Sequence, residues 1–582
     1  MDGTSPLARS TPAGAAPPAV PKQALSLTLS SGGVFAASVL TQIIGFVASL
    51  VLYKTIGLST AGIALLGTVQ FFLLVGSSIN GVGDLRLGTA YTYFLARGKP
   101  AADMTTVYLF VRMLMVGLAG LFIFIIAPLS IDGSRIATGT TELTALGIFV
   151  ALPLLWSFST VYNQLYIGTG NSLKAQYPGL VEAIARLPAL VIVAFLDPTV
   201  TGLTLAYVVG AAASTLYAAP AVIERMRRFR KIEATRMFRF AWPLMGSLML
   251  NYLVTNMIPL FITAQLGVFK LSIFLAANGF RILVLSLPAA VTTPLFPYIA
   301  GLHRQEKYEA IRQGTWQALR YTSILLVPGV VALVTYRTNF LNVLATARYA
   351  SLGAIPLAIL AVGAIPLALS QVMQSSLNAI GRQRLELYLT STQVSILVAA
   401  ILLLLPPYGF FPASDGLIAA SVAVLLSSIA AFCLNTYFTE TLIRVRIQPR
   451  SILAITLSAA LAFGAISRLN RYLPVSTAYQ LLAVVLLCFV VYFIVLALVG
   501  ELAKQDVQRI GRSMGLPKWL CDGVSKACWR ESSPDLPPVD LARAPGLRQT
   551  ELPETFSGTT EMPEIGTPGP EEPLDENGPP GS

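Results

Sequence analysis

Apolar runs of about twenty residues alternate with short polar connectors from residue 31 to residue 499. A hydrocarbon layer of about 30 Å needs about 20 residues of helix at about 1.5 Å rise each, so each run has the length of a membrane span. The pattern predicts fourteen helices: Ser31 to Leu52, Ile63 to Val82, Met104 to Pro128, Leu143 to Leu165, Pro178 to Leu196, Leu203 to Val222, Phe240 to Phe261, Ile273 to Pro294, Tyr321 to Tyr336, Ile355 to Ile380, Leu387 to Leu405, Leu417 to Phe438, Ile452 to Ser467 and Leu481 to Val499. Pro288, Pro294 and Pro297 cluster at the end of the eighth, and the ninth and thirteenth runs are short.

Charge sits in the connectors. Those after even-numbered helices hold twenty Lys and Arg residues, and those after odd-numbered helices hold seven. Cytoplasmic connectors are enriched in Lys and Arg, so the alternation predicts both termini in the cytoplasm of a multi-pass inner-membrane protein. A helix miscounted in the middle would scramble it. The densest basic stretch, Glu224 to Arg239, reads ERMRRFRKIEATRMFR and separates two sets of six helices. Met226, Phe229 and Phe238 among its arginines suit a segment lying on anionic inner-leaflet lipids, and a plain solvated loop has the same composition. Gly57 in KTIGLSTAGIALLG is echoed 210 residues later by Gly267 in TAQLGVFKLSIFLA, a faint sign of parallel repeated halves. The expected organisation is a flexible leader at 1–25, a first lobe at 26–222, a basic linker at 223–239, a second lobe at 240–438, helices thirteen and fourteen within 451–499, a basic amphipathic segment at 500–530 and an acidic, Pro-rich, disordered tail at 531–582.

Composition narrows the class. Of 582 residues, 55% are hydrophobic and only 12% charged, which excludes an ordinary soluble enzyme. Residues 1–530 carry a net +21 and residues 531–582 a net −9, which together give the overall +12. Because the cations sit in connectors, orientation accounts for them and no nucleic-acid partner is expected. Four cysteines, with Cys433 and Cys488 inside apolar runs, give no disulfide framework, and a lone histidine, His303, leaves no zinc cluster. There is no phosphate-binding glycine loop and no nucleophile, base and orienter set. The chain reads as neither an enzyme nor a primary pump, with no cofactor, so uphill movement would draw on an ion gradient or the membrane potential.

Polar side chains within spans are costly unless they face protein or water. The seventh helix carries Ser247, Asn251 and Thr255 at intervals of four, and the tenth carries Ser370, Gln371, Gln374, Ser375 and Asn378 on one side. The first has Ser38, Gln42, Gly45 and Ser49, and the fourth ends in Ser157, Thr160, Asn163 and Gln164. Packing through small residues explains the Gly and Ser positions as well as a pathway does. Three arginines fall in spans. Arg186 has Glu182 one turn earlier, a self-neutralising structural pair. Arg112 and Arg281 have no local acidic partner, and Arg281 shares a helix face with Asn278. A cation facing a cavity suits an anionic substrate, because guanidinium grips phosphate oxygens in a fork; for Arg112, near its helix start, snorkelling to a headgroup is the rival. The candidate substrate-binding set is Arg281, Arg112, Asn278, Asn251, Gln374, Asn378 and Gln42.

Three stretches carry a family resemblance. Leu40 to Ala90, with Gly57, Ala61-Gly62 and the Gly83-Asp84 to Gly88 segment, resembles the opening of the polysaccharide flippase family within the multidrug, oligosaccharidyl-lipid and polysaccharide exporter superfamily. The stretch from Phe240 through Ala276-Ala277 and Arg281 to Leu295-Phe296-Pro297 is similar, as is MQSSLNAIGRQR at Met373 to Arg384. The resemblance implies an all-α bundle like that of the multidrug exporters: fourteen helices in two six-helix lobes arranged as a V, plus two C-terminal helices. It further implies movement of a polyprenyl-pyrophosphate-linked oligosaccharide repeat across the cytoplasmic membrane for surface or extracellular polysaccharide. Many members carry an acidic residue midway along the seventh helix, where this chain has Asn256. Two alternatives stay open: a cation-coupled drug exporter, for which Glu182 is the one clear intramembrane carboxylate, and a non-transporting scaffold that gathers a polymerase or glycosyltransferases.

Overall fold

The computed structural model describes residues 22–502, apart from 97–99, 127–139, 197, 228, 230, 287–288, 406–408, 446–447 and 470–476. Most of the predicted leader, the basic segment beyond residue 502 and the acidic tail lie outside the described residues. Among the described residues the regular elements are helical. The first half of the chain comprises α1 (Lys22–Thr55), α2 (Thr60–Val82), α3 (Leu87–Ala96), α4 (Ala101–Ile126), α5 (Thr140–Gly168), α6 (Ser172–Ala175), α7 (Tyr177–Leu196) and α8 (Val200–Ile223). The second comprises α9 (Lys231–Leu285), α10 (Ala289–Arg304), α11 (Tyr308–Thr335), α12 (Arg337–Leu344), α13 (Ala347–Ala379), α14 (Gln383–Leu404), α15 (Gly416–Ile443), α16 (Pro449–Leu469) and α17 (Ala478–Val499).

Twelve helices are long and apolar enough to cross a bilayer, and α1 adds a shorter apolar stretch, Leu40–Thr55. The chain is a multi-pass membrane protein. Helix α9 contains two of the predicted spans. As one straight rod its 55 residues would reach about 80 Å, far beyond a bilayer. The rod is broken at Gly267, whose φ of 81° and ψ of 167° leave the helical region in a way open to glycine. Helix starts follow local chemistry: Ser59 accepts the Gly62 N–H at 2.9 Å and Thr199 the Gly202 N–H at 3.1 Å, while Gly500, at φ 82°, ends α17 in the left-handed region.

Burial sorts the faces. Phe122 on α4, Phe195 on α7 and Leu482 on α17 stay exposed, as lipid-facing positions do, while the polar residues Thr204, Ser214, Ser376 and Ser421 are buried. One core cluster runs through both halves, from Ala48 and Phe72 to Phe280, Tyr349 and Ala423. A second joins α11 and α12 to α16 and α17 through Tyr336, Phe463 and Tyr492. A third unites α3, α4, α5 and α8 and includes Met237 and Ala241 from α9.

The structure corrects several sequence boundaries. The predicted linker, 223–239, is helical from Lys231 onward, where Lys231, Arg236 and Arg239 stay exposed while Glu233 and Met237 turn inward. The ninth helix begins at Tyr308 rather than Tyr321, its added turns burying Arg312 and Trp316. The eighth stops at Leu285, and the proline-rich stretch that follows forms the separate α10. Helices α3, α6 and α12 are short connectors that hydrophobic runs alone did not mark.

Candidate functional site

The membrane-embedded arginines fall into three settings. Arg281 lies on α9 beyond the Gly267 break, partly buried, and its Nη1 donates to Asn278 Oδ1 at 2.9 Å, one turn earlier. Its Nε is buried without a partner, and no carboxylate among the described residues pairs with it. The adjacent residues fix its place. Phe280 packs edge-on against Phe46 of α1, with ring centroids 5.0 Å apart, so this stretch of α9 in the second half abuts α1 in the first.

Arg112 is held differently. Only 1% exposed, it donates Nη1 to Asp84 Oδ1 at 2.6 Å and Nη2 to Asn80 Oδ1 at 2.6 Å and Thr160 Oγ1 at 3.2 Å. Tyr108 Oη also donates to Asp84 Oδ1, at 2.6 Å, and the Gly88 N–H donates to Asp84 Oδ2 at 3.3 Å. Arg112 has no acidic partner nearby in sequence, but the fold brings one from 28 residues earlier, just past the end of α2. The arrangement braces a strained turn, since Leu85 and Arg86 both take positive φ, 46° and 58°. With both Nη nitrogens engaged and the side chain buried, Arg112 lies in the interior of the first half.

Arg186 meets Glu182 at 3.1 Å, its guanidinium also lying 5.4 Å above the Tyr207 ring. Its Nη2 reaches α1 at Gly45, where a Cβ would sit 3.6 Å away.

The remaining candidates are not gathered into one site. Gln42 is exposed on α1, and Gln374 is partly buried on α13. Asn378, at the end of α13, donates to Glu386 Oε2 at 2.9 Å. Asn251 lies on α9, with its side chain outside what is described, and of the set Asn278 alone bonds Arg281. The fourth-helix stripe is spent inside the first half: Thr160 on Arg112, and Gln164 Oε1 accepting from Thr92 at 2.8 Å. Sequence reading missed the buried junction in which Ser451 donates to Glu501 Oε2 at 2.8 Å while Arg320 pairs with the same carboxylate at 3.7 Å. Its members stand just outside the ends of three predicted helices, where the sequence pattern marks them only as connector residues. Among the described residues no cluster of His, Cys, Asp and Glu could hold a metal.

The helical arrangement, with cations embedded in it, defines a polytopic membrane bundle. Residues 99–354 match a family described as polysaccharide biosynthesis protein. Among solved structures, the lipid II flippase MurJ in an inward closed conformation is similar, with a TM-score of 0.65 at 13% identity, covering 80% of this chain and 98% of that one. An inward-facing multidrug resistance MATE transporter gives a TM-score of 0.54 at 14% identity, covering 69% and 94%. A superfamily transporter from Pyrococcus furiosus gives 0.51 at 16%, covering 72% and 95%. A search of curated proteins matched none. The chain therefore shares its fold with these flippase and multidrug transporter structures, and its residues 99–354 carry the similarity to the polysaccharide biosynthesis family.

Proposed function

We propose that the protein is a flippase that moves a polyprenyl-pyrophosphate-linked oligosaccharide repeat across the cytoplasmic membrane for surface or extracellular polysaccharide, by alternating access between two lobes. The observation that carries this reading is Arg281: a cation within a span, beside α1 of the other half, with a side-chain amide rather than a carboxylate for company. A pyrophosphate supplies the missing anion, and a guanidinium binds its oxygens in a fork. Asn278 would hold the guanidinium in place, while Gln42 and Gln374 offer uncharged donors toward sugar hydroxyls. The match of residues 99–354 to a polysaccharide biosynthesis family supports a glycan substrate, and the fold, shared with a lipid II flippase and with multidrug transporters, suits a lipid-linked one. The drug-exporter reading needs a free intramembrane carboxylate, and Glu182 is engaged by Arg186.

Translocation of a lipid-linked glycan in reconstituted vesicles tests the reading. Arg281→Ala removes charge-assisted bonds worth roughly 1.5 to 3 kcal/mol each, so binding should weaken about tenfold to more than a hundredfold. Unchanged translocation would sink the substrate role, as would loss together with a collapsed fold.

The same reading puts both termini inside the cell. Arg227 and Ser414, both exposed, would then lie on opposite sides. Cysteines placed there should label from the cytoplasm and from outside respectively; labelling of both from one side would overturn the orientation. The cytoplasmic face so defined carries exposed Met226 and Phe229 beside Arg227 and Lys231. Thr106 pins this loop by hydrogen bonds of 2.8 Å to the Arg227 backbone, and Phe110 meets Phe229. Anionic inner-leaflet headgroups fit such a surface.

A further inference from the structure

The chain leaves α5 through a turn that folds back on the helix end. The Asn171 N–H donates to the Tyr166 carbonyl at 2.8 Å, and Asn171 Oδ1 accepts the Lys174 N–H at 3.3 Å. Gly170, at φ 82°, supplies the left-handed residue that this reversal needs. Lys174 is thereby set over the ring of Tyr166, with Nζ 5.8 Å from the centroid. A second cation reaches the same ring from another helix. Arg225, just past the end of α8 and partly buried, has its guanidinium carbon 5.8 Å from that centroid. Its Nη1 donates to the Ala221 carbonyl at 3.0 Å, and two residues on, the Arg227 backbone is tied to Thr106 of α4. Tyr162 backs the cluster, its ring 4.5 Å from that of Tyr166 and 5.7 Å from that of Tyr217.

Two cations gathered at one ring repel each other, and an aromatic face offers each only weak attraction. Neither is ion-paired with a carboxylate among the described residues, in contrast to Arg112, Arg186 and Arg320. Their charge is open to an anion from outside the chain. The surroundings select the kind of anion. Ile223, Tyr217 and Leu216 on α8 and Ile167 on α5 are exposed, in helices long and apolar enough to cross a bilayer. Cations standing where such apolar side chains end, among tyrosines, lie at the level of lipid headgroups.

We propose that Lys174 and Arg225, bracketing Tyr166, form a binding site for the phosphate of an anionic phospholipid. It lies at the ends of α5 and α8, on different residues from Arg281, and it deepens the reading of the basic loop by naming a discrete site beside it. It rests on the proposed orientation only for the leaflet, which is the inner one, and not on the glycan. A lipid held there fastens α6 to the exit of α8, and so anchors the start of the connection between the halves at headgroup depth.

The test titrates the full chain, purified in neutral detergent, with phosphatidylglycerol and counts retained lipid by native mass spectrometry. The native chain should hold one phosphatidylglycerol in preference to phosphatidylcholine. A cation near the membrane surface is worth about fivefold in affinity, so Lys174→Gln and Arg225→Gln should each weaken retention by about that factor. Arg225→Lys, which keeps the charge, should restore most of it. Arg227→Gln, in the neighbouring loop, should leave it in place. Should Arg225→Gln fail to melt as a folded species, Lys174→Gln alters an exposed side chain and decides the matter alone. Unchanged retention in the folded variants would overturn the site, as would equal retention of phosphatidylcholine. An equal loss in Arg227→Gln would overturn it too, leaving diffuse attraction to a basic surface. Displacement of the lipid by inorganic phosphate at matched concentration would assign the two cations to a free anion and overturn the lipid. Failure of the other readings looks different: glycan stays put, or a cysteine at position 227 labels from outside, while the lipid responses persist.

Discussion

Arg112 on α4 and Arg281 on α9 both lie in apolar helices without an acidic residue within four positions. Folding gives them opposite surroundings. Around Arg112 the chain assembles Asp84, Asn80, Tyr108 and Thr160, and the guanidinium loses its access to anything else. Around Arg281 it supplies one side-chain amide, Asn278, and no carboxylate among the described residues. The first arrangement spends a cation on architecture and the second keeps one in reserve. A buried arginine is therefore no signal of a ligand by itself; what matters is whether the fold has already supplied its counter-charge.

The largest expected effect falls on the architectural side. Arg112→Ala leaves the partly buried Asp84 without its cation, and breaking a buried pair typically costs up to about 3–5 kcal/mol. Thermal unfolding in mild detergent should show a steep loss of stability, with any loss of translocation following the fold. A normal melting curve would erase the distinction between the two arginines. Arg281→Ala should do the reverse, sparing the melting temperature while weakening glycan binding. Arg281→Lys, which keeps charge but not the fork, should fall between it and the native chain.

The smallest effect belongs to Asn278→Ala. It removes one neutral side chain's bond to a cation, about 1.5–3 kcal/mol in a rigid site and less where the guanidinium finds substrate oxygens instead. The binding loss should be smaller than for Arg281→Ala, with catalytic turnover little changed at saturating glycan. A loss as large as that of Arg281→Ala would show that Asn278 itself contacts the substrate.

How far the sequence disclosed this arrangement depended on range. Apolar runs placed the spanning helices because a bilayer imposes one length on all of them, and Gly267 stood out as the echo of Gly57 before it proved to be the break in α9. Glu182 and Arg186 were readable because a pair four residues apart must share a helix face. Asp84 was not readable as the partner of Arg112, since the pairing depends on how α2 and α4 pack, although Asp84 lay within the quoted Gly83 to Gly88 segment. Tyr349 and Tyr53 were hidden for the same reason, 296 positions apart in sequence and ring to ring in space. The early starts of α9 and α11 escaped because basic turns look like solvent loops until a neighbouring helix covers their apolar side.

The core shared by α3, α4, α5 and α8 with Met237 and Ala241 bears on biogenesis. Spans enter the membrane as they are synthesised, yet this part of the first half keeps an uncovered patch until the opening turns of α9 arrive. Chains released before Lys231 would present that patch to the quality-control machinery. A gene divided between the halves should yield a lasting protein only when the fragment carrying α9 is made alongside the other.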